Sequence, residues 1–388
     1  MAAIVSDTIS PSPPENSTNP KNRLDFIDAL RALPALYVMM AHTIGRIAVD
    51  HAPHGLIKFL FKFLAEGHLA VAVFIILSGF CLMLPTLKHD THLKGGPIRF
   101  FKRRALRILP PLYITFLLEI VVLCFYVNPA TNTIYGLRLP GDWVNHKVFL
   151  SNLFLLIDIF PSHSLPSSAV FWSIAVEWRI YFLFPVILYA WRKFGGAKTV
   201  LSTVAIAYLL AWCWRNTILF GATVQFLGLF ALGMYAAEIC YRPTQQWRQW
   251  RDKLPWTALA MVFFGMIGFG SLIFGWKRLV SVMPIADLVT GLGACCLLIA
   301  ASQARSGVVT RILSLRPLVA IGSFSYSLYL IHWPILELAQ QHLIDPSHLS
   351  DTGKFLAYAI AIWPPIIGVS YLYYRCFELP FHKMAQRL

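Results

Sequence analysis

The sequence predicts an all-α membrane protein, a polytopic bundle of about ten transmembrane helices with cytoplasmic N- and C-termini. Two observations lead to this fold class. Of the 388 residues, 57% are hydrophobic and only 13% are charged, and the mean hydropathy is +0.62. Soluble domains carry about 25% charged residues. A chain with so few polar groups cannot cover its surface in water, so we expect the bilayer to be its solvent.

Apolar segments long enough to cross a membrane, about 20 residues each, follow one another along the chain. They are 24–44, 66–86, 108–128, 169–191, 199–215, 219–241, 256–276, 283–301, 318–340 and 355–376. The stretch from Val148 to Phe160 is too short to span and is expected to be interfacial or re-entrant. Residues 1–22 are polar and rich in Pro, Ser, Thr and Asn, which predicts a disordered cytoplasmic tail before one membrane domain, 23–388.

The basic residues fit the same class. The net charge is +15, and with the N-terminus inside, most of the 33 Lys and Arg residues fall in cytoplasmic segments, as the positive-inside rule requires. We therefore expect these residues to meet anionic lipid and not nucleic acid. The seven cysteines lie in or beside apolar segments without metal-ligand spacing, so the sequence predicts neither a disulfide framework nor a metal site.

Asp28, Arg31 and His42 are ionisable residues within the first span, where each is costly to insert. Arg31 and His42 are eleven residues apart, almost three helical turns, which sets them on one face at roughly 16 Å along the axis. Asp28 is one turn before Arg31 and can pair with it. One interpretation is an ion pair near a helix end plus an interfacial histidine. The other is a polar track with a neutral imidazole as a base at its outer end.

The fourth span carries a second buried charge. Glu177 lies well inside apolar sequence, with Trp172 and Ser173 about one turn before it. A structural carboxyl group, protonated or paired with Arg179 or with a neighbouring helix, is one interpretation. The alternative is that Glu177 orients His42 or another polar partner.

The ninth span presents Ser325, Tyr329 and His332 at spacings of four and three, on one helical face. Its hydroxyl groups could pack helices together. In the predicted topology His332 has about the depth of His42, and a packing or supporting role is at least as plausible for it as catalysis.

A basic block precedes the third span. Arg104 and Arg107 are three residues apart where a helix leaves the cytoplasm. Positive-inside anchoring would explain them, but an anion site is also credible, because arginine forks bind phosphate bidentately.

Taken together, these segments resemble the type 3 integral membrane acyltransferase family, from about Leu24 to Pro380. The matching segments are Leu24–Ala32 with His42, Ala72–Phe80 ending in Leu-Ser-Gly-Phe, Arg104-x-x-Arg107 with Ile108-Leu109-Pro110, Trp172-Ser173 with Glu177, Ser325-Tyr326 through Tyr329 to His332-Trp333-Pro334, and Glu378-Leu379-Pro380. Each motif is weak alone, and six in the right order make a strong signal.

The resemblance implies a multi-pass enzyme of the plasma (inner) membrane that moves an acyl group, commonly acetyl, from cytoplasmic acyl-CoA to a hydroxyl of a carbohydrate or small-molecule acceptor. His42 would be the general base, supported by Arg31 and Glu177, and Arg104 and Arg107 would bind the CoA phosphates. Supporting residues would be Asp28, Trp172, Ser173, Ser325, Tyr326, Tyr329 and His332. A transporter with a buried Asp, Arg, Glu and His path is the alternative, although the sequence shows no clear internal repeat. A membrane scaffold would leave the buried charges unexplained.

Overall fold

The computed structural model describes residues 22–47, 64, 66–126, 133–134, 137–138, 146–160, 168–274, 282–303 and 308–388. Almost all regular structure in these residues is helical. Strand pairing among them is confined to a two-residue antiparallel ladder, Thr133–Ile134 with Leu137–Arg138. The predicted disordered tail lies outside the described residues, except for its last residue, Asn22.

The α-helices are α1 (Asn22–Arg46), α2 (Gly67–Leu87), α3 (Gly96–Tyr126), α4 (His146–Leu153), α5 (Ser168–Phe194), α6 (Gly196–Trp214), α7 (Gln225–Tyr241), α8 (Gln245–Lys253), α9 (Trp256–Phe274), α10 (Met283–Gln303), α11 (Val308–Leu313), α12 (Arg316–Ser323), α13 (Ser325–Ala339), α14 (Asp351–Ala357), α15 (Trp363–Tyr373) and α16 (Leu379–Arg387). Tighter or wider helical turns cover Ile218–Ala222, Gln340–Ile344, Asp345–Ser347, Tyr358–Ile362 and Tyr374–Glu378.

Eight helical segments of the described residues are long and apolar enough to cross a membrane. They are Gly67–Leu87, Gly96–Val122, Val170–Phe194, Gly196–Trp214, Ile218–Tyr241, Trp256–Ile273, Met283–Gln303 and Asp351–Arg387. The pair Arg316–Ser323 and Ser325–Ser347, bent by 79°, makes a ninth if it is one span. Helix α1 covers the first predicted span, but its charged residues keep it outside this set. The all-helical membrane class is confirmed, while the count of ten and the side of both termini stay predictions.

Helix α2 lies at the centre of the bundle, because its apolar side chains continue around the whole helix and are buried on every side. It meets α7 backbone to backbone. A Cβ added to Gly79 would lie 2.1 Å from the carbonyl oxygen of Phe230, and one added to Gly233 would lie 2.1 Å from that of Ile76. Paired glycines allow this close approach, as is usual between helices in a membrane.

The short apolar stretch beginning at Val148 forms α4 and a turn that ends at Phe160, so it does not span. Asp158 anchors this segment through an ion pair with Arg179 of α5, and burial raises the pKa of the Asp158 carboxyl group. The exposed faces of Phe149 and Phe154 suit the interfacial position that the sequence predicts.

Candidate active site

A cavity of about 260 Å³ opens between α1, α2, α3, α5 and α13. The polar residues that line it are Arg31, Ser78, Cys81, Arg104, Arg107, Ser173, Glu177, Tyr181, Ser325, Tyr326 and Tyr329. Residues from five helices, separated by up to 298 positions in the chain, therefore share one site. We call it the arginine cavity.

Positive charge dominates this cavity. Arg104 and Arg107 extend from one face of α3, and Arg31 enters from α1, whereas Glu177 is the single acidic residue among those that line it. Arg31 is paired with Asp28 at 3.0 Å, but the buried Nε of Arg104 has no hydrogen-bond partner among the described residues. Convergent guanidinium groups with open donors are the arrangement that binds phosphate or carboxylate.

Glu177 belongs to the arginine cavity and not to the surroundings of His42. Its carboxylate accepts a hydrogen bond from Tyr181, whose oxygen lies 3.1 Å from Ser78 Oγ. Arg179 does not pair with Glu177, because it is bound to Asp158. Two residues along an α-helix correspond to about 200° of rotation, so the two side chains leave α5 on opposite faces.

Hydroxyl groups close one end of the arginine cavity. Tyr329 donates a hydrogen bond to the carbonyl oxygen of Val170 at 2.7 Å, so its oxygen accepts from Ser173 Oγ at 2.6 Å. Both side chains are buried. Tyr326 is fixed separately, because its hydroxyl donates to the carbonyl oxygen of Ile108 at 2.9 Å. The Ser173–Tyr329 bond thus stands between the arginines and the residues beyond it.

His42 and His332 form a pair on the far side of that bond. The Nδ1 of His42 lies 2.9 Å from Nε2 of His332, and the two rings are nearly coplanar, with a 6° angle between them. Tyr329 connects the pair to the cavity, since its ring centroid lies 5.9 Å from that of His332. Arg31 and His42 share α1, but only Arg31 lines the arginine cavity.

One carbonyl group determines the protonation of this pair when both rings are neutral. His332 Nδ1 lies 3.0 Å from the carbonyl oxygen of Leu328, and a carbonyl can only accept, so Nδ1 carries the hydrogen. His332 Nε2 is then an acceptor, and His42 Nδ1 must donate to it. The lone pair of His42 is therefore on Nε2, which is the position of a base with an oriented partner.

Arg46 and Trp333 hold His42 from the end of α1. The edge of the Trp333 ring packs on His42, with centroids 4.8 Å apart, and the Arg46 guanidinium lies 4.1 Å from the centroid of Trp333. Arg46 also donates to the carbonyl oxygen of His42 at 2.8 Å and pairs with Glu337 at 2.7 Å. The histidine is thus fixed on several sides, and none of the described residues hydrogen-bonds to its Nε2.

The remaining expected residues and one unexpected residue complete the site. Ser325 lines the arginine cavity, and Trp172 lies outside it, stacked on His68 at 5.3 Å between centroids. Cys81 was not among the expected site residues, yet Arg31 donates to its sulfur at 3.2 Å. Its position three residues after Ser78 puts both on one face of α2, which is a signal the sequence contained.

Comparison with known proteins finds similarity to membrane acyltransferases. The family model of an acyltransferase domain (Acyl_transf_3) matches residues 24–375. A protein provisionally named membrane-bound transacylase BcsY, from Komagataeibacter xylinus, is 25% identical over 97% of this chain and 91% of its own length. The O-acetyltransferase OatA of Staphylococcus aureus is 24% identical over 93% of this chain, which spans only 59% of that protein.

Nodulation protein 10 of Rhizobium leguminosarum bv. viciae is 28% identical over 51% of this chain and 53% of its own length. No solved structure matches the chain. The family model covers most of the chain, including α1 with its histidine, the α3 arginines and the α13 histidine. On this evidence the chain belongs to the type 3 family of integral membrane acyltransferases.

Proposed function

We propose that this protein transfers an acyl group, typically acetyl, from cytoplasmic acyl-CoA to a hydroxyl group of a carbohydrate-type acceptor, in the plasma (inner) membrane. The observation that carries the proposal is the arrangement of two parts: a cavity with three arginines, and an oriented histidine just beyond the Ser173–Tyr329 bond. The names of two relatives, a transacylase and an O-acetyltransferase, support the same reaction class.

In this proposal the arginine cavity receives the donor. Arg104 and Arg107 bind the phosphates of CoA. The positive charges of Arg104 and Arg31 repel that of Arg107, and a bound anion would reduce this repulsion. The pantetheine arm then runs along the cavity toward Tyr329. Arg31, Tyr329 and backbone amides are the candidate donors for the developing oxyanion.

His42 acts on the acceptor. Its Nε2 takes the proton of the acceptor hydroxyl while the oxygen attacks the thioester carbonyl carbon. The carbon–sulfur bond then breaks, the ester leaves, and the CoA thiolate takes up the proton from the His42 imidazolium. His332 keeps the base in the required tautomer throughout, and for the attack the thioester must pass or displace the Ser173–Tyr329 bond.

Replacement of His42 by alanine tests the base. We expect acetyl transfer from acetyl-CoA by the purified protein in proteoliposomes to fall by about 10²–10⁴-fold, the usual contribution of a general base. His89→Ala is the matched control, because His89 is exposed. Turnover near that of the wild type in a correctly inserted His42→Ala variant would exclude this role.

Cys81 provides a separate test of the donor site. It is half-buried in the arginine cavity, whereas Cys213 and Cys376 are exposed. Acetyl-CoA is expected to slow alkylation of Cys81 by N-ethylmaleimide and to leave Cys213 and Cys376 unaffected. Equal labelling of Cys81 with and without saturating acetyl-CoA would contradict CoA binding at the arginines.

A further inference from the structure

A second polar cluster lies outside the arginine cavity. Asp287 of α10 is completely buried, and it accepts hydrogen bonds from two side chains. Both bonds go to Oδ2, from His68 Nε2 at 3.3 Å and from Gln225 Nε2 at 3.1 Å. The other oxygen, Oδ1, lies 3.0 Å from His68 Nε2 but has no hydrogen-bond partner among the described residues. A buried carboxylate is costly unless polar groups contact it, so the contacts with His68 and Gln225 define the arrangement of the cluster.

Asp287 determines which nitrogen of His68 is free. Because the carboxylate accepts, Nε2 of a neutral His68 carries the hydrogen, and the lone pair is left on Nδ1. Among the described residues, Nδ1 has no hydrogen-bond partner. The ring is held by stacking on Trp172 at a 9° angle and by Phe226 at 5.6 Å, yet the side chain is still 21% exposed.

The backbone that carries His68 passes close to His42 Nε2. A Cβ added to Gly67 would be 3.8 Å from His42 Nε2, and His68 is the next residue, with its Cα about 3.8 Å from that of Gly67. A second connection runs through α5. Trp172, which stacks on His68, precedes Ser173, whose partner Tyr329 packs on His332.

We propose that His68 is an acceptor-positioning residue, which binds one hydroxyl of the acceptor while His42 deprotonates a neighbouring hydroxyl of the same molecule. Two unprotonated imidazole nitrogens on adjoining segments recognise two hydroxyl groups, so the acceptor is a polyol with neighbouring hydroxyls and not a simple alcohol. Asp287 and Gln225 act through His68 by fixing its tautomer. This inference rests on the proposed function and specifies its acceptor class.

Two probe acceptors of matched shape test the proposal: cis-1,2-cyclohexanediol and cyclohexanol. For the wild type we expect kcat/KM for acetyl transfer from acetyl-CoA to favour the diol by about tenfold, because a site built to bind a hydroxyl rejects the analogue that lacks it. His68→Phe keeps the stacked ring and removes the nitrogen, so the ratio should fall to about one. His89→Phe, at an exposed position, should preserve the ratio.

Protection of Cys81 by acetyl-CoA reports whether His68→Phe still folds and binds the donor. If protection is lost, His68→Lys replaces it, since lysine keeps a donor for Asp287 and has no acceptor, and the same fall in ratio is expected. A wild-type ratio near one, an unchanged ratio in the variant, or no wild-type transfer to the diol while cyclohexanol is acetylated would overturn the proposal. Failure of the proposed function looks different: no protection of Cys81 and no transfer to either probe.

Discussion

Replacing His332 with phenylalanine tests whether the histidine pair orients the base. Phenylalanine keeps a ring at a position that is only 1% exposed, and it removes the nitrogen that accepts from His42 Nδ1. In the proposed mechanism His42 takes the acceptor's proton, and that N–H group then becomes part of an imidazolium. The lost interaction is therefore a hydrogen bond to a charged group, and it is lost in the reacting state.

The size of the effect follows from that bond. A hydrogen bond to a charged group contributes about 1.5–3 kcal/mol, and each 1.36 kcal/mol of barrier changes the rate about tenfold. His332→Phe should therefore lower kcat by about 10- to 150-fold. Because His332 does not line the arginine cavity, KM for acetyl-CoA should stay within about twofold of the wild-type value.

Initial rates of acetyl transfer in proteoliposomes, at equal amounts of inserted protein, measure both constants. His89→Phe is the same substitution at an exposed position, so it should match the wild type. A kcat of His332→Phe within threefold of the wild-type value would show that His332 does not orient His42. A change in KM for acetyl-CoA in place of kcat would show the same.

Three further substitutions probe the proposed donor site and the packing of the bundle. Arg107→Gln should raise KM for acetyl-CoA by about tenfold with little change in kcat, and an equal change in the exposed Lys102→Gln would refute a specific phosphate contact. Gly79→Ala forces a Cβ to 2.1 Å from a carbonyl oxygen of α7, so the melting temperature should drop by an amount equivalent to about 1–3 kcal/mol. Gly265→Ala, with nothing within 4 Å, should not lower it, and equal shifts would contradict the packing argument. Asp158→Asn leaves Arg179 of α5 without a counter-ion, which should lower the free energy of unfolding by roughly 2–3 kcal/mol. The loss should be smaller than for a fully buried pair, because the Arg179 side chain is 31% exposed. Limited proteolysis of the 146–160 segment at an unchanged rate would contradict this anchoring.

The sequence predicted the helical membrane class because hydropathy alone determines which segments avoid water. It also indicated Arg31, His42 and Glu177 as candidate site residues, because an ionisable residue in an apolar span is costly to insert and is usually functional. These buried charges alone could not distinguish a transporter from an acyltransferase. The family match over residues 24–375 favours the acyltransferase.

The hydrogen-bond partners of these residues were harder to predict than the residues themselves. Spacing along one helix does not show which helices are its neighbours. Glu177 was expected to be protonated, to pair with Arg179 or a neighbouring helix, or to orient His42 or another polar partner, and it bonds with Tyr181 of its own helix. Asp287 was missed altogether, although it is an acid within an apolar span. The rule that identified Glu177 would have identified Asp287 as well, but its partner His68 is 219 residues away and could not be inferred.

The Ser173–Tyr329 bond has a consequence for the membrane as an electrical barrier. A protein that takes one substrate from each face of a bilayer would conduct ions across it if its two openings joined. Each proton that crossed would dissipate about 2.3 kcal/mol per 100 mV of membrane potential. Ser173 and Tyr329, with Phe74 packed against the tyrosine ring at 6.0 Å, line the arginine cavity where the tyrosine also packs on His332. Under the proposed function, this bond would open only when a donor displaces it, so the two openings would stay separate between turnovers.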